Sequence, residues 1–271
     1  MTLHQLAAFG RILPTGFGGR RALLLIERNV LRYRDGWLMI LSGFFEPLFY
    51  LLAIGMGIGG IIGSLSGPDG TSIPYAVFVA PALLASASMN GAIAESTFNF
   101  FFKLHFQKLY DSVLATPLGP GDVALGEIGW AVIRSTLYAL GFIVVIFVLG
   151  LVRSPWAVFA VPSATLLAFA FAAAGMAATT YMRSWQDFDL INLVVLPLFL
   201  FSGTFYPLAA YPEPLRVFIM LTPLWQGVDL IRSLVLGLVE PSILWHVVYL
   251  GVMGTIGLVI AERRLGRMLL K

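Results

Sequence analysis

Long apolar stretches alternate with short polar ones along this chain, and their lengths predict helices rather than strands. A helix that crosses a bilayer needs about 20 mostly apolar residues, because the hydrocarbon core is about 30 Å thick and a helix rises about 1.5 Å per residue. Such stretches run over residues 37–62, 75–102, 122–150, 155–182, 190–206 and 242–261. The first ends in GMGIGG and meets the polar turn SLSGPDGTS, where Gly, Pro and Asp break the helix. Pro81, Gly91 and Glu95 weaken the hydrogen-bond ladder of the second and predict a kink or break there. The LVRS link between the third and fourth is short enough to make them antiparallel neighbours.

Three segments do not fit the spanning pattern. Residues 20–35, RRALLLIERNVLRYRD, carry an apolar strip at Leu23, Ile26, Val30 and Tyr33 among charges, which predicts an amphipathic helix lying at the membrane interface. Residues 101–127, FFKLHFQKLYDSVLATPLGPGDVALGE, hold a short helix with Leu104, Phe106, Leu109 and Val113 on its apolar face, while Lys108, Asp111 and Ser112 project elsewhere. Such a face could insert into a partner's groove, or simply rest on the interface. Pro117 and Pro120 end the helix, and Asp122 is placed to cap the next one. Residues 207–240 are apolar but broken by Pro212, Pro214, Pro223, Asp229 and Arg232, which predicts a re-entrant segment packed on the fifth and sixth spans.

Composition settles the class: 59% of the 271 residues are hydrophobic and only 11% charged, with a mean hydropathy of +0.89. The fold class is therefore an all-α integral membrane protein with six transmembrane helices. Six crossings place thirteen of the seventeen Lys and Arg on one side, including both termini, whereas a seventh would move the basic C-terminus across. The positive-inside bias makes that side the cytosol. The net charge of +3 follows from this retention, and no basic nucleic-acid motif accompanies it, so no nucleic-acid partner is expected. The N-terminus lacks the features of a signal peptide and is expected to stay cytosolic. The absence of Cys excludes disulfides and thiolate metal sites.

Catalytic chemistry has little to stand on. There is no GxxxxGK[ST] loop, so ATP hydrolysis by this chain is not expected. His4, His105 and His246 stand apart from any ligand pattern, so no metal site is expected, and neither Ser42-Gly43 nor Ser202-Gly203 forms a GxSxG elbow. Charged residues in or beside spans are the sharper signal: Glu46, Glu95, Glu127 and Arg134 each cost at least about 2.5–3.5 kcal/mol at a bilayer centre unless paired or hydrated. Glu127 and Arg134 lie seven residues apart on one helix face, where each could bridge to a neighbouring helix. A transport pathway and simple interhelical pairing both remain open for these four.

Four stretches in order carry a family resemblance: ERNVLRYRDGW followed by EPLFYLLAIGMGIG, then YDSVLATPLGPGDVALGEIGWAVIR, LPLFLFSGTFYPL and TPLWQGVDLIRSLVLG. Over nearly its whole length the chain resembles the permease subunits of type-2 ABC exporters, especially the nodulation-protein-J-like and daunorubicin-resistance permeases. The resemblance implies a cytosolic N-terminal segment, 1–36, carrying a connecting helix, and a transmembrane domain, 37–271, in a bacterial inner or plasma membrane. It implies ABC ATPase subunits that bind ATP and Mg, a second permease copy or paralogue, and export of an amphipathic substrate such as a lipid-linked saccharide, glycolipid or drug. A coupling helix at about 104–115 would use Leu104, Lys108, Leu109, Tyr110, Asp111, Val113 and Leu114. The second and fifth spans would line the route, with Phe98, Asn99, Asn192 and Phe199 beside the charged four, and 203–238 would form outer re-entrant helices. An ion- or proton-coupled secondary transporter using the intramembrane Glu residues is the alternative, although no internal repeat supports it. A membrane-embedded enzyme lacks any nucleophile–base or metal constellation.

Overall fold

The computed structural model describes residues 19–33, 45–66 and 72–269. The expected start of the first span at Trp37, most of the SLSGPDGTS turn, Ser42-Gly43 and the first eighteen residues lie outside these. The described chain is helical throughout apart from one two-stranded ribbon. Helix α1 is Gly19–Tyr33. Helix α2, Phe45–Ile62, is wound as a π-helix over Leu51–Ile58. Strands β1, Ser64–Ser66, and β2, Ser72–Pro74, pair antiparallel with Leu65 opposite Ile73. Helix α3 is Tyr75–Phe106, α4 Leu109–Leu114, α5 Pro120–Val148 and α6 Pro155–Thr179. Helices α7, Phe188–Phe201, α8, Glu213–Met220, α9, Pro223–Leu236, and α10, Ile243–Leu269, complete the chain.

Five of these, α2, α3, α5, α6 and α10, are long and apolar enough to cross a membrane. Helix α7 spans only 14 residues, about 21 Å at the usual rise, because Ser202, Gly203 and Thr204 turn the chain where apolar sequence continues to Tyr206. Helices α8 and α9 meet at 84°, as the prolines of that stretch predict. Helix α9 packs on α10 as expected, but its other main contacts are α3 and α6 rather than α7. No break occurs in α3 at Pro81; the ladder instead widens into π turns at Glu95–Asn99 and Phe102–Phe106, carrying the helix past the expected end at 102.

The core lies between α3, α5, α6, α9 and α10, filled by Leu83, Met89, Phe142, Leu167 and Met176. Apolar side chains gain little by leaving lipid for protein, so close backbone approach has to supply the packing energy. The Ala-rich α6 permits it: a Cβ on Gly257 of α10 would stand 2.7 Å from the Ala173 carbonyl carbon and 2.8 Å from the Ala174 nitrogen. Helix α1 joins in the same way. Its packed stripe is Ala22, Leu25 and Asn29, for which Gly126 and Gly129 of α5 leave room, and of the strip expected at the interface Leu23 and Val30 stay exposed while Ile26 and Tyr33 are half-buried. Leu23, Leu24, Val30 and Leu31 stay exposed, the position from which they meet acyl chains if α1 rests on a bilayer.

Gly257→Ala should separate α6 from α10, since backbone rather than a flexible side chain blocks the added methyl. The expected cost is about 1–3 kcal/mol, read as a lowered unfolding midpoint in detergent. Gly251→Ala, with no atom within 4 Å of the added Cβ, should leave the midpoint unchanged.

Candidate functional site

The second π turn of α3 brings Lys103 onto the same side as Glu95, and α5 faces them with Glu127, Trp130, Arg134 and Tyr138 at spacings of three and four that form one helix face. Lys103 Nζ lies 2.6 Å from Glu127 Oε2 and 3.8 Å from Glu95 Oε1. Glu95 also accepts from the Arg134 guanidinium, from Trp130 Nε1 at 3.0 Å and from Asn99 Nδ2 at 2.7 Å. Glu127 further accepts from Asn29 Nδ2 at 3.2 Å and Arg28 Nη2 at 3.4 Å, both from α1. Glu95, Lys103 and Glu127 are all buried. Glu95 stands about 30 Å along α3 from Tyr75, a hydrocarbon thickness away, so the cluster sits where a bilayer would end.

Glu127 and Arg134 thus bridge to neighbouring helices rather than to each other. Lys103, which the charge pattern marks as a free loop cation, is instead a buried hub. Its signal was its position eight residues after Glu95, two helical turns, and the 127-130-134-138 face was readable in the same way. Arg28 and Asn29 carried no such signal, because their partner lies 98 or more residues away.

The α4 end is assembled around this cluster. Leu104 belongs to the end of α3, not to the short helix that follows, because Lys108 adopts a left-handed backbone, φ 47°, and starts a new direction. The expected free apolar face of α4 is turned inward, with Tyr110 and Val113 buried and Leu109 and Leu114 half-buried, whereas Phe106 ends α3 and stays exposed beside Trp185. Lys108, Asp111 and Ser112 face outward. Burial, and after it the nearby Glu127 charge, hold the Tyr110 phenol well above its ordinary range. Three arginines on one flank of α1 clip this end together: Arg21 donates to Pro117 O at 2.9 Å, Arg28 to Glu127, and Arg32 to Gln107 Oε1 at 3.2 Å. Asp122 caps α5 from inside its first turn, accepting from Gly119 N–H at 3.0 Å.

Above the cluster a cavity of about 700 Å³ opens between α2, α3, α5 and α7, and Arg134 and Tyr138 form part of its wall. It shares Glu46, Tyr50, Asn90, Asn192 and Phe199 with a second space of about 930 Å³ that runs toward Tyr75, Phe205 and Tyr206. Of the residues singled out in the sequence, Glu46, Phe98, Arg134, Asn192 and Phe199 line the first space. Glu95, Asn99 and Glu127 lie behind its wall, in the ion-pair cluster. Phe98 and Phe101 hold the 183–188 loop through Trp185 and Phe188, with ring centroids 4.9 Å apart for Phe98–Trp185 and 5.3 Å for Phe101–Phe188.

At the opposite end, Arg232 of the expected re-entrant segment lies in α9. It donates to Gly203 O at 2.7 Å and Phe78 O at 3.3 Å, tying the turn after α7 to α3 and α9. His246, apparently isolated in the sequence, contacts Gln226 through Nδ1 and Asp229 through Nε2 at 3.2 Å. Among the described residues no group of three metal-ligating side chains comes together.

A family model described as "ABC-2 type transporter" matches residues 20–236, which hold the cluster, α4 and the cavity. Nodulation protein J of Rhizobium leguminosarum bv. viciae is 28% identical over 92% of this chain and 97% of its own length. The protein of the same name from R. leguminosarum bv. trifolii is 30% identical over 82% and 83%. The inner membrane transport permease YadH of Escherichia coli (strain K12) is 28% identical over 69% of this chain and 67% of its own length.

Glu127→Leu alone should leave Lys103 buried with Glu95, 3.8 Å away and already shared with Arg134, as its remaining counter-charge, a loss of about 3–5 kcal/mol. Combining it with Lys103→Met removes both charges and should recover much of that loss. Unfolding midpoints of the two single variants and the double variant give the coupling directly.

Proposed function

The chain belongs to the ABC-2 type transporter family, and from that premise we propose that it is the membrane-spanning permease subunit of an ATP-driven exporter of amphipathic molecules. It is a multi-pass membrane protein and a component of a transporter rather than a catalyst. ATP and Mg²⁺ are bound by separate cytosolic ATPase subunits that dock against α4. The observation that carries this reading is a run of contacts from α4, with Lys108 and Asp111 outward and Tyr110 packed on Phe100 of α3 at 5.4 Å between ring centroids, along α3 to Lys103, Glu127, Glu95 and Arg134, and so to the cavity wall. Closure of the ATPase dimer pushes on α4, and this packed, paired end moves as a body with α1, changing the shape of the cavity. What α4 offers a partner is its polar face, since its apolar face is already covered.

In this reading the chain crosses the membrane six times, with α7 as the short fifth crossing and both termini cytosolic. Helix α1, within the N-terminal segment 1–36, is the connecting helix, and α8 and α9 are the re-entrant outer helices of the transmembrane domain 37–271. A bacterial inner or plasma membrane is supported by the relative named an inner membrane permease. Substrate, a lipid-linked saccharide, glycolipid or drug, moves from the cytosolic side to the outer leaflet or exterior. Helix α7 buries none of its residues and α2 few, which supports a second permease copy or paralogue meeting these two helices. The ion-coupled alternative is weakened because Glu95 and Glu127 are engaged by cations and amide or indole donors.

Two experiments test the reading. Tagged protein purified in mild detergent should retain an ATPase, and Lys108→Glu with Asp111→Lys should lower substrate-stimulated ATP hydrolysis severalfold while the protein still inserts; hydrolysis equal to wild type would exclude docking there. The chain has no native Cys, so a single Leu193→Cys reports cleanly: a disulfide-linked dimer in membranes is expected, and a monomer under oxidation would remove α7 from a homodimer interface.

A further inference from the structure

Five polar side chains that line the 700 Å³ cavity, Glu46, Asn90, Gln186, Asp189 and Asn192, have no hydrogen-bond or ion-pair partner among the described residues. Asn90 is half-buried and the other four are exposed, so their hydrogen-bonding capacity is open to a polar occupant of the cavity. The kind of occupant follows from what the groups can do. Carboxylates only accept hydrogen bonds, whereas primary amides both donate and accept. Two carboxylates, Glu46 and Asp189, stand without counter-charge among the described residues, while Arg134, the sole cation of the described lining, is already engaged by Glu95 and by the Tyr138 hydroxyl at 2.7 Å. A negative head group entering here would meet two like charges and, among the described lining residues, no free cation.

The adjoining space has the opposite character. Apart from the shared Glu46, Asn90 and Asn192 it is walled by aliphatic and aromatic residues, among them Ile54, Ile58, Phe205 and Tyr206. The two spaces together form a polar chamber continuous with an apolar one.

We propose that this cavity binds an amphiphile whose head donates hydrogen bonds and carries no negative charge, an amine foremost, with the head between Glu46 and Asp189 and the tail beside Tyr50, Phe199 and Tyr206. The proposal rests on the exporter reading for its physiological meaning and narrows it: heads linked through phosphate are disfavoured.

The test is equilibrium binding to the full permease with its ATPase in phosphatidylcholine nanodiscs, using labelled dodecylamine, dodecyl maltoside and dodecyl phosphate, with uptake by empty discs subtracted. Dodecylamine should bind about tenfold more tightly than dodecyl phosphate, with the maltoside between them. Glu46→Gln with Asp189→Asn should bring the amine-to-phosphate ratio to about one, and Asn90→Ala with Asn192→Ala should weaken amine and maltoside alike. Dodecyl phosphate binding as tightly as the amine, or a ratio unchanged in the carboxylate double variant, would overturn the proposal; the latter is the outcome if these carboxylates face a second permease instead. Binding requires no ATP turnover. A normal ratio in a complex that does not export therefore counts against the exporter reading alone, and a lost ratio with export intact counts against this proposal alone.

Discussion

The contact between Lys103 and Glu127 joins α3 to α5 at the level where hydrocarbon would give way to head groups, and much of the architecture at that end depends on it. Neither charge can be left alone there, because breaking a buried pair exposes the survivor to a desolvation cost larger than the attraction that was lost. Each pairing therefore recruits another group. Glu127 draws Arg28 and Asn29 from α1, and Glu95 draws Arg134, Trp130 and Asn99. The result is that α1, which makes no crossing, is held to the helices that do by hydrogen bonds as well as by packing. A cluster of this kind contributes little net stability over an apolar one of equal volume, but it permits few alternative arrangements.

Elsewhere the bundle is held by a different means. Between α6 and α10 the contact is backbone against backbone, set by Gly257 and the alanines opposite it. Such an interface works by shape alone and has no charge to rearrange. The molecule thus has a rigid, small-residue seam near its centre and a polar, directional joint at one end, while α2 and α7 keep most of their surface uncovered on the side of the cavity.

The places and order of the five long helices were legible in the sequence because a hydrocarbon slab imposes a length on any segment that crosses it, whereas the fifth of the six expected spans is the short α7. So was the presence of Glu127 and Arg134 on a face turned toward other helices. What failed were statements depending on contacts between distant segments. Lys103 is read as a loop charge by any scheme that counts cations along the chain, yet it closes an ion pair with Glu127, and nothing in the re-entrant stretch marked Arg232 as the group that binds the carbonyls of Phe78 and Gly203. The second, protein-facing stripe of α1 was invisible because Asn29, a polar residue, occupies its end and is buried through Glu127 and Arg28. Leu104 was assigned to the wrong helix because the boundary is set by one backbone angle at Lys108, to which composition is blind. Glu46, Asn192 and Phe199 do share a cavity, whereas Asn99 and Glu95 turned out to stand behind its wall.

The π turns of α3 have a consequence of their own. Each holds about one residue more than an α-helical turn, and an extra residue turns everything beyond it by roughly 100° about the helix axis relative to an unbroken α-helix. The two turns therefore set which side chains α3 shows at its end: Lys103 meets Glu127 of α5, while Phe98 and Phe101 meet the 183–188 loop. A helix of ordinary pitch with the same sequence would carry that end out of phase with α5, so the widened turns are the phase setting of the ion pair.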